Sequence, residues 1–136
     1  RGAPVYSFAR VSDKPIRMRC QVREPDVLVA LDRGLLSSLP FKIKEGGVLV
    51  ANSPCRPELQ ATRVYWVDAT SIAKRLGLVV AGWPVVNTAM LGALAKAWGA
   101  ISLETVKSAI LETWPGKLGE LNAKAAEEAF GEVRGS

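Results

Sequence analysis

The chain reads as an α/β fold: a three-layer α/β/α arrangement on a mostly parallel sheet plus a β-hairpin, Rossmann-like but incomplete at its N-terminus. Three observations predict it. The runs Val27-Leu28-Val29-Ala30-Leu31, Val48-Leu49-Val50-Ala51 and Val64-Tyr65-Trp66-Val67 are apolar without alternation, as strands covered on both faces are. Residues 88–98, 103–113 and 118–133 carry helical spacing between start and stop signals. Residues 4–23 instead alternate or turn in the manner of a hairpin. At 136 residues, 49% apolar and 23% charged, residues 1–136 are expected to form a single domain.

The elements follow in order. Residues 4–11 form a strand, and Ser12-Asp13-Lys14-Pro15 is turn chemistry. Ile16, Met18, Cys20 and Val22 then alternate with Arg17, Arg19, Gln21 and Arg23, giving an apolar face and a basic face. Residues 25–32 are the organising strand, closed by Pro25 and Gly34; burial of Val27, Leu28, Val29 and Leu31 contributes about 1.5–3 kcal/mol each. A short helix at 34–39 ends at Pro40, and Gly46-Gly47 turns into the second run. Residues 55–63 read as loop and residues 71–76 as a short helix stopped by Gly77. Gly82 and Pro84 make residues 78–85 extended or irregular.

Asn87 caps the strongest helix, residues 88–98, ended by Gly99. Gly92 inside it costs about 1 kcal/mol relative to Ala, which close approach of another backbone would offset. Ser102 caps residues 103–113, and Pro115-Gly116 breaks that helix. In the last helix Leu121, Ala125, Ala129 and Val133 share one stripe. Gly135-Ser136 reads as a cloning remnant.

The chain has no histidine. That removes the commonest general base and metal ligand, so an independent hydrolase is not expected. Cys20 and Cys55 stand apart, with no C-x-x-C pair, so the chain alone holds neither an iron–sulfur cluster nor a cysteine zinc site. No apolar stretch approaches the ~20 residues of a membrane helix. With no signal-peptide pattern before the first strand, a reduced, cytoplasmic protein is expected. The basic surplus lies in the front half: eleven Lys/Arg against six acids over residues 1–63, and seven of each over residues 64–136. That half is the face for an anionic ligand or partner. Nucleic acid is not expected, because the Arg row lacks interleaved aromatics.

The three apolar runs stop at Asp32-Arg33-Gly34, at Asn52-Ser53 and at Asp68-Ala69-Thr70, and all three stops are candidates for a site edge. Ligands of open α/β sheets sit beyond the carboxyl ends of strands, which makes Asn52, Ser53, Asp68 and Thr70 candidates for a site edge. Turn and capping roles explain the same residues equally well. Arg17 and Arg19 are candidates for a phosphate or an acidic subunit, against a solvated face.

The segments Arg1-Gly2-Ala3-Pro4-Val5, Asp13-Lys14-Pro15-Ile16, Glu24-Pro25-Asp26, Gly46-Gly47-Val48, Val67-Asp68-Ala69-Thr70-Ser71-Ile72-Ala73 and Asn87-Thr88-Ala89-Met90-Leu91-Gly92-Ala93, in this order and spacing, resemble the γ subunit or γ domain of the 2-oxoacid:ferredoxin oxidoreductases. Residues 1–26 look most like the pyruvate enzymes. The resemblance implies a multisubunit enzyme that converts a 2-oxoacid and coenzyme A to acyl-CoA and CO2 while reducing ferredoxin. Thiamine diphosphate and iron–sulfur clusters would sit on alpha, beta and delta-type partner subunits, and no cofactor would be bound by this chain alone.

This chain would pack against the thiamine-diphosphate subunits and help bind coenzyme A. Arg1, Gly2 and Asn87 join the candidate contacts on that basis, and no residue is assigned a catalytic or metal-binding role. The alternative is a non-catalytic coenzyme-binding or scaffolding module. Family members begin with a strand, a Gly-rich turn and a helix before this point, so the chain is expected to be truncated. Its exposed sheet edge would then pair with a copy of itself or with a chain supplying the missing strand.

Overall fold

The computed structural model describes residues 3–59 and 63–136. The three apolar runs form the parallel strands β1 (Val27–Ala30), β2 (Val48–Asn52) and β3 (Arg63–Val67). Register places Val29 beside Val50 and Val50 beside Tyr65. Helix α1 (Ala69–Arg75) follows, then a two-residue hairpin of β4 (Val79–Val80) and β5 (Trp83–Pro84). Its turn has Ala81 at φ 49° and Gly82 at φ 81°, the left-handed pair that matches strand twist in tight hairpins. Helices α2 (Asn87–Trp98), α3 (Leu103–Thr113) and α4 (Lys117–Glu132) complete the chain, and β6 (Arg134–Gly135) returns antiparallel to β3.

The sheet order is β1-β2-β3-β6. The organising strand is therefore β2, every residue of which is buried. β1 lies at the edge, its Val27, Leu28 and Val29 only partly covered and Leu31 exposed. The two apolar runs look alike in sequence; only the pairing order separates centre from edge. Gly135, read as lying outside the fold, pairs with Tyr65.

One face of the sheet carries Val48, Val50 and Val67 against Ile72, Ala89, Met90, Ala93, Ala125 and Ala129, from α1, α2 and α4. On the opposite face Leu49, Ala51 and Val64 pack on Leu36 and Ile43. That face is covered by the 3-10 turn Arg33–Ser38 and irregular chain, not by the α-helical layer expected there. Ala and Gly let α2 and α4 approach closely: a Cβ on Gly92 would lie 1.9 Å from the Ala126 carbonyl oxygen. The close approach expected at Gly92 is thus present.

The hairpin expected over residues 4–23 does not form. Residues 4–23 contain no strand, and residues 4–22 make no backbone–backbone hydrogen bond among the described residues. The alternation is real, but among the described residues no strand pairs with it. Tyr6 and Phe8 instead meet Phe41 edge-on, at centroid distances of 5.5 and 6.2 Å. The antiparallel pairings among the described residues lie at β4–β5 and β3–β6. Among the described residues, no helix is long and apolar enough to cross a membrane.

Candidate functional site

The carboxyl ends of β1, β2 and β3 line up, as parallel pairing requires. Asn52, the last residue of β2, bridges its neighbours. Its Nδ2 donates to the Leu31 carbonyl at 3.0 Å and to Thr70 Oγ1 at 2.9 Å, while its Oδ1 accepts from the Thr70 amide at 3.3 Å. Both donor hydrogens of the amide are used, so little is left for a ligand. Ser53 Oγ donates to the Cys55 carbonyl at 2.7 Å, and its backbone amide donates to the Val67 carbonyl. Asp68 caps α1, accepting from the Ser71 amide at 3.0 Å and the Ser71 hydroxyl at 2.7 Å. Asp32 does the same for the 3-10 turn, accepting from the Gly34 amide at 2.8 Å.

The structure brings Asn52, Ser53, Asp68 and Thr70 together at one sheet edge, and it engages their side chains with one another and with the backbone. No nucleophile–base pair arises among them. What faces solvent there is a basic rim, of which the sequence pointed to Arg33 as part of a strand stop but not to Arg56. Arg33, just past β1, reaches Cys55 Sγ at 3.7 Å, and Arg56 stacks over the Trp66 ring at 5.6 Å. Both arginines and Cys55 are exposed. The signal for Arg56 was its place a few residues past the Asn52-Ser53 stop.

The other candidates lie elsewhere. Arg17 and Arg19 are exposed on the segment before β1. A cleft of about 600 Å³ on that segment is lined by Arg10, Met18, Cys20 and Arg23. Asn87 opens α2, its Oδ1 accepting from the Thr88 amide at 2.9 Å, and Val86 takes the capping position expected of it. Arg1 and Gly2 lie outside the described residues.

The profile of the family described as pyruvate ferredoxin/flavodoxin oxidoreductase matches residues 1–132. The pyruvate/ketoisovalerate oxidoreductases common subunit gamma of Thermococcus kodakarensis is 48% identical, over 96% of this chain and 73% of that protein. Pyruvate synthase subunit PorC of Methanocaldococcus jannaschii is 47% identical, over 98% of this chain and 74% of that protein. The crystal structure of pyruvate oxidoreductase subunit PORC from Thermotoga maritima superposes with a TM-score of 0.72 at 28% identity, over 85% of this chain and 67% of that one.

Proposed function

The chain belongs to the pyruvate ferredoxin/flavodoxin oxidoreductase family, and from that membership we propose that it is the gamma component of an enzyme oxidising a 2-oxoacid, with pyruvate favoured. The reaction takes the 2-oxoacid and coenzyme A to acyl-CoA and CO2, and two electrons pass to ferredoxin. The observation that carries this reading is the family match over residues 1–132, with gamma subunits among the similar proteins. The chain is an enzyme subunit and is not catalytic alone.

The residues present agree with this division of labour. Among the described residues no group of three His, Cys, Asp or Glu could hold a metal ion, and Cys20 and Cys55 are free. In this reading iron–sulfur clusters and thiamine diphosphate are carried by partner subunits, where they supply the electron transfer and the carbanion chemistry. The gamma chain offers packing and, at the strand ends, the guanidinium groups of Arg33 and Arg56. Such groups hold phosphate through charge-assisted hydrogen bonds, which suits the phosphates of coenzyme A. A pure scaffolding role is the second reading, favoured by the mutual satisfaction of Asn52, Ser53, Thr70 and Asp68.

The two separate in the assembled enzyme carrying Arg33→Ala and Arg56→Ala. Coenzyme A binding at the rim raises KM for coenzyme A by roughly tenfold, the loss of one to two charged hydrogen bonds, with subunit content unchanged. Unchanged KM in an intact assembly establishes scaffolding and rejects the rim. Failure of the wild-type chain to join pyruvate-oxidising subunits rejects the gamma assignment itself.

A further inference from the structure

Among the described residues the buried polar side chains are Asn52, Ser53, Thr88 and Asn122. Thr88 and Asn122 bond to each other across the α2–α4 contact, hydroxyl to carboxamide oxygen at 2.8 Å. Asn52 and Ser53 stand side by side at the end of β2 and use their side chains differently. A buried polar group is unfavourable unless it is bonded, and Ala or Val would pack a strand end without that penalty. Each of the two bonds instead to backbone next to an arginine of the rim.

Asn52 serves the Arg33 side. Its Nδ2 holds the Leu31 carbonyl at 3.0 Å, two residues before Arg33. Just after Arg33, the Gly34 amide donates to Asp32 Oδ1 at 2.8 Å and the Leu35 amide to the Asp32 carbonyl at 3.2 Å. The backbone bearing Arg33 is thus fixed before and after it, and the Thr70 bonds of Asn52 anchor it on α1. Ser53 serves the Arg56 side. Its hydroxyl donates to the Cys55 carbonyl at 2.7 Å and accepts from the Cys55 amide at 3.4 Å, so one oxygen closes the turn immediately before Arg56. Pro57 pushes Arg56 toward extended backbone, and the Arg56 guanidinium lies over Trp66, the β3 partner of Ala51. The two sides meet where Arg33 reaches Cys55 Sγ. Every contact of this frame lies between residues 31 and 70.

We propose that Asn52 and Ser53 are positioning residues: they hold Arg33 and Arg56 as a preset pair of guanidinium groups for the phosphates of coenzyme A, without touching the ligand themselves. An arginine loses rotamer freedom when it binds, and ordering the backbone beneath it beforehand lessens that loss. The frame also explains why the side chains at the strand ends are engaged with one another while the charged groups beside them stay open. Satisfaction of Asn52 and Ser53 is then part of the site's construction, where a pure scaffold would need only packing. This inference rests on the coenzyme A reading of the rim.

A mutant cycle in the assembled oxidoreductase tests it, with KM for coenzyme A and KM for the 2-oxoacid as readouts. Asn52→Ala and Ser53→Ala each raise KM for coenzyme A by about fivefold and leave KM for the 2-oxoacid in place. In the chain already carrying Arg33→Ala and Arg56→Ala, the same changes add less than about twofold, because residues that act through one group are not additive. Asn122→Ala is the control: it breaks the buried pair between α2 and α4, which pack on the opposite face of the sheet from Trp66, and it lowers stability without moving KM for coenzyme A. Where Asn52→Ala reduces the yield of assembled enzyme, Ser53→Ala decides alone, since its hydroxyl bonds to Cys55 and leaves the bridge from β2 to α1 intact. An unchanged KM for coenzyme A in Ser53→Ala, with the arginine pair still raising it, overturns the positioning role and leaves the rim standing. An equal rise in the arginine-free chain, or in Asn122→Ala, also overturns it. If the arginine changes themselves leave KM unmoved, the rim reading falls and this inference with it.

Discussion

Replacing Gly92 by Ala is expected to destabilise the fold, although the same change in an open helix does the reverse. Away from contacts, Ala is preferred to Gly by about 1 kcal/mol. Here the new Cβ falls 1.9 Å from the Ala126 carbonyl oxygen, 2.6 Å from its carbon and 2.7 Å from its Cα. All three are backbone atoms, so no rotamer change relieves the overlap and no truncation at Ala126 rescues it. Ordinary contact is restored only if α2 and α4 part by roughly 1.5 Å, and a gap of even 0.5–1 Å forfeits about a quarter to a half of each dispersion contact. Ala93, Ala125 and Ala129 lie in the core cluster that would be loosened. Overpacking of this kind costs about 3 kcal/mol, which lowers Tm by roughly 10 °C in a chain of this size. Thermal and urea unfolding followed by far-UV circular dichroism measure it. Gly131→Ala, in α4 with nothing within 4 Å of its added Cβ, is the control and raises stability by up to about 1 kcal/mol. Equal or greater stability of Gly92→Ala than wild type refutes the close approach of the two helices.

Two further changes probe the strand ends and the sheet order. Asn52→Ala removes three hydrogen bonds that join β1, β2 and α1, and a loss of about 2–3 kcal/mol in urea unfolding is expected; unchanged stability would show that the network is not structural. Val50→Asp places a carboxylate at a fully buried position of β2 and abolishes soluble expression. Val29→Asp, on the half-covered edge strand β1, leaves a folded chain whose stability is lower by about 1–3 kcal/mol. Equal damage from both would contradict the order β1-β2-β3-β6.

The sequence displays some of this architecture openly and conceals the rest for physical reasons. Three apolar runs without alternation gave the parallel strands, and Ser102 and Asp68 announced their helix starts by capping chemistry. Gly92 in an Ala-rich helix pointed to a tight crossing because nothing else offsets its propensity cost. Strand order was hidden, since residues 27–30 and 48–51 carry similar side chains and only long-range pairing distinguishes edge from centre. Residues 4–23 show the reverse. Their alternation is a local property, whereas a strand also needs a partner, and among the described residues none pairs with this segment although β1 leaves one edge of the sheet open. At the site, Asn52 and Asp68 looked the same whether they faced a ligand or one another; only their partners decide. β6 spans two residues with no apolar signature, too little for any pattern.

The return of β6 to β3 bears on how the protein is made. A ribosome delivers β1, β2 and β3 early, yet Trp66 waits for Arg134 to pair with it. The Ala-lined face of α2 waits for Ala125 and Ala129 in the same way. Until residues 117–135 leave the exit tunnel, the nascent chain carries an uncovered helix face and an open β3 edge, the features that draw chaperones or misassociation during synthesis. Slow translation across α3 would lengthen that exposure, whereas rapid completion of α4 would end it.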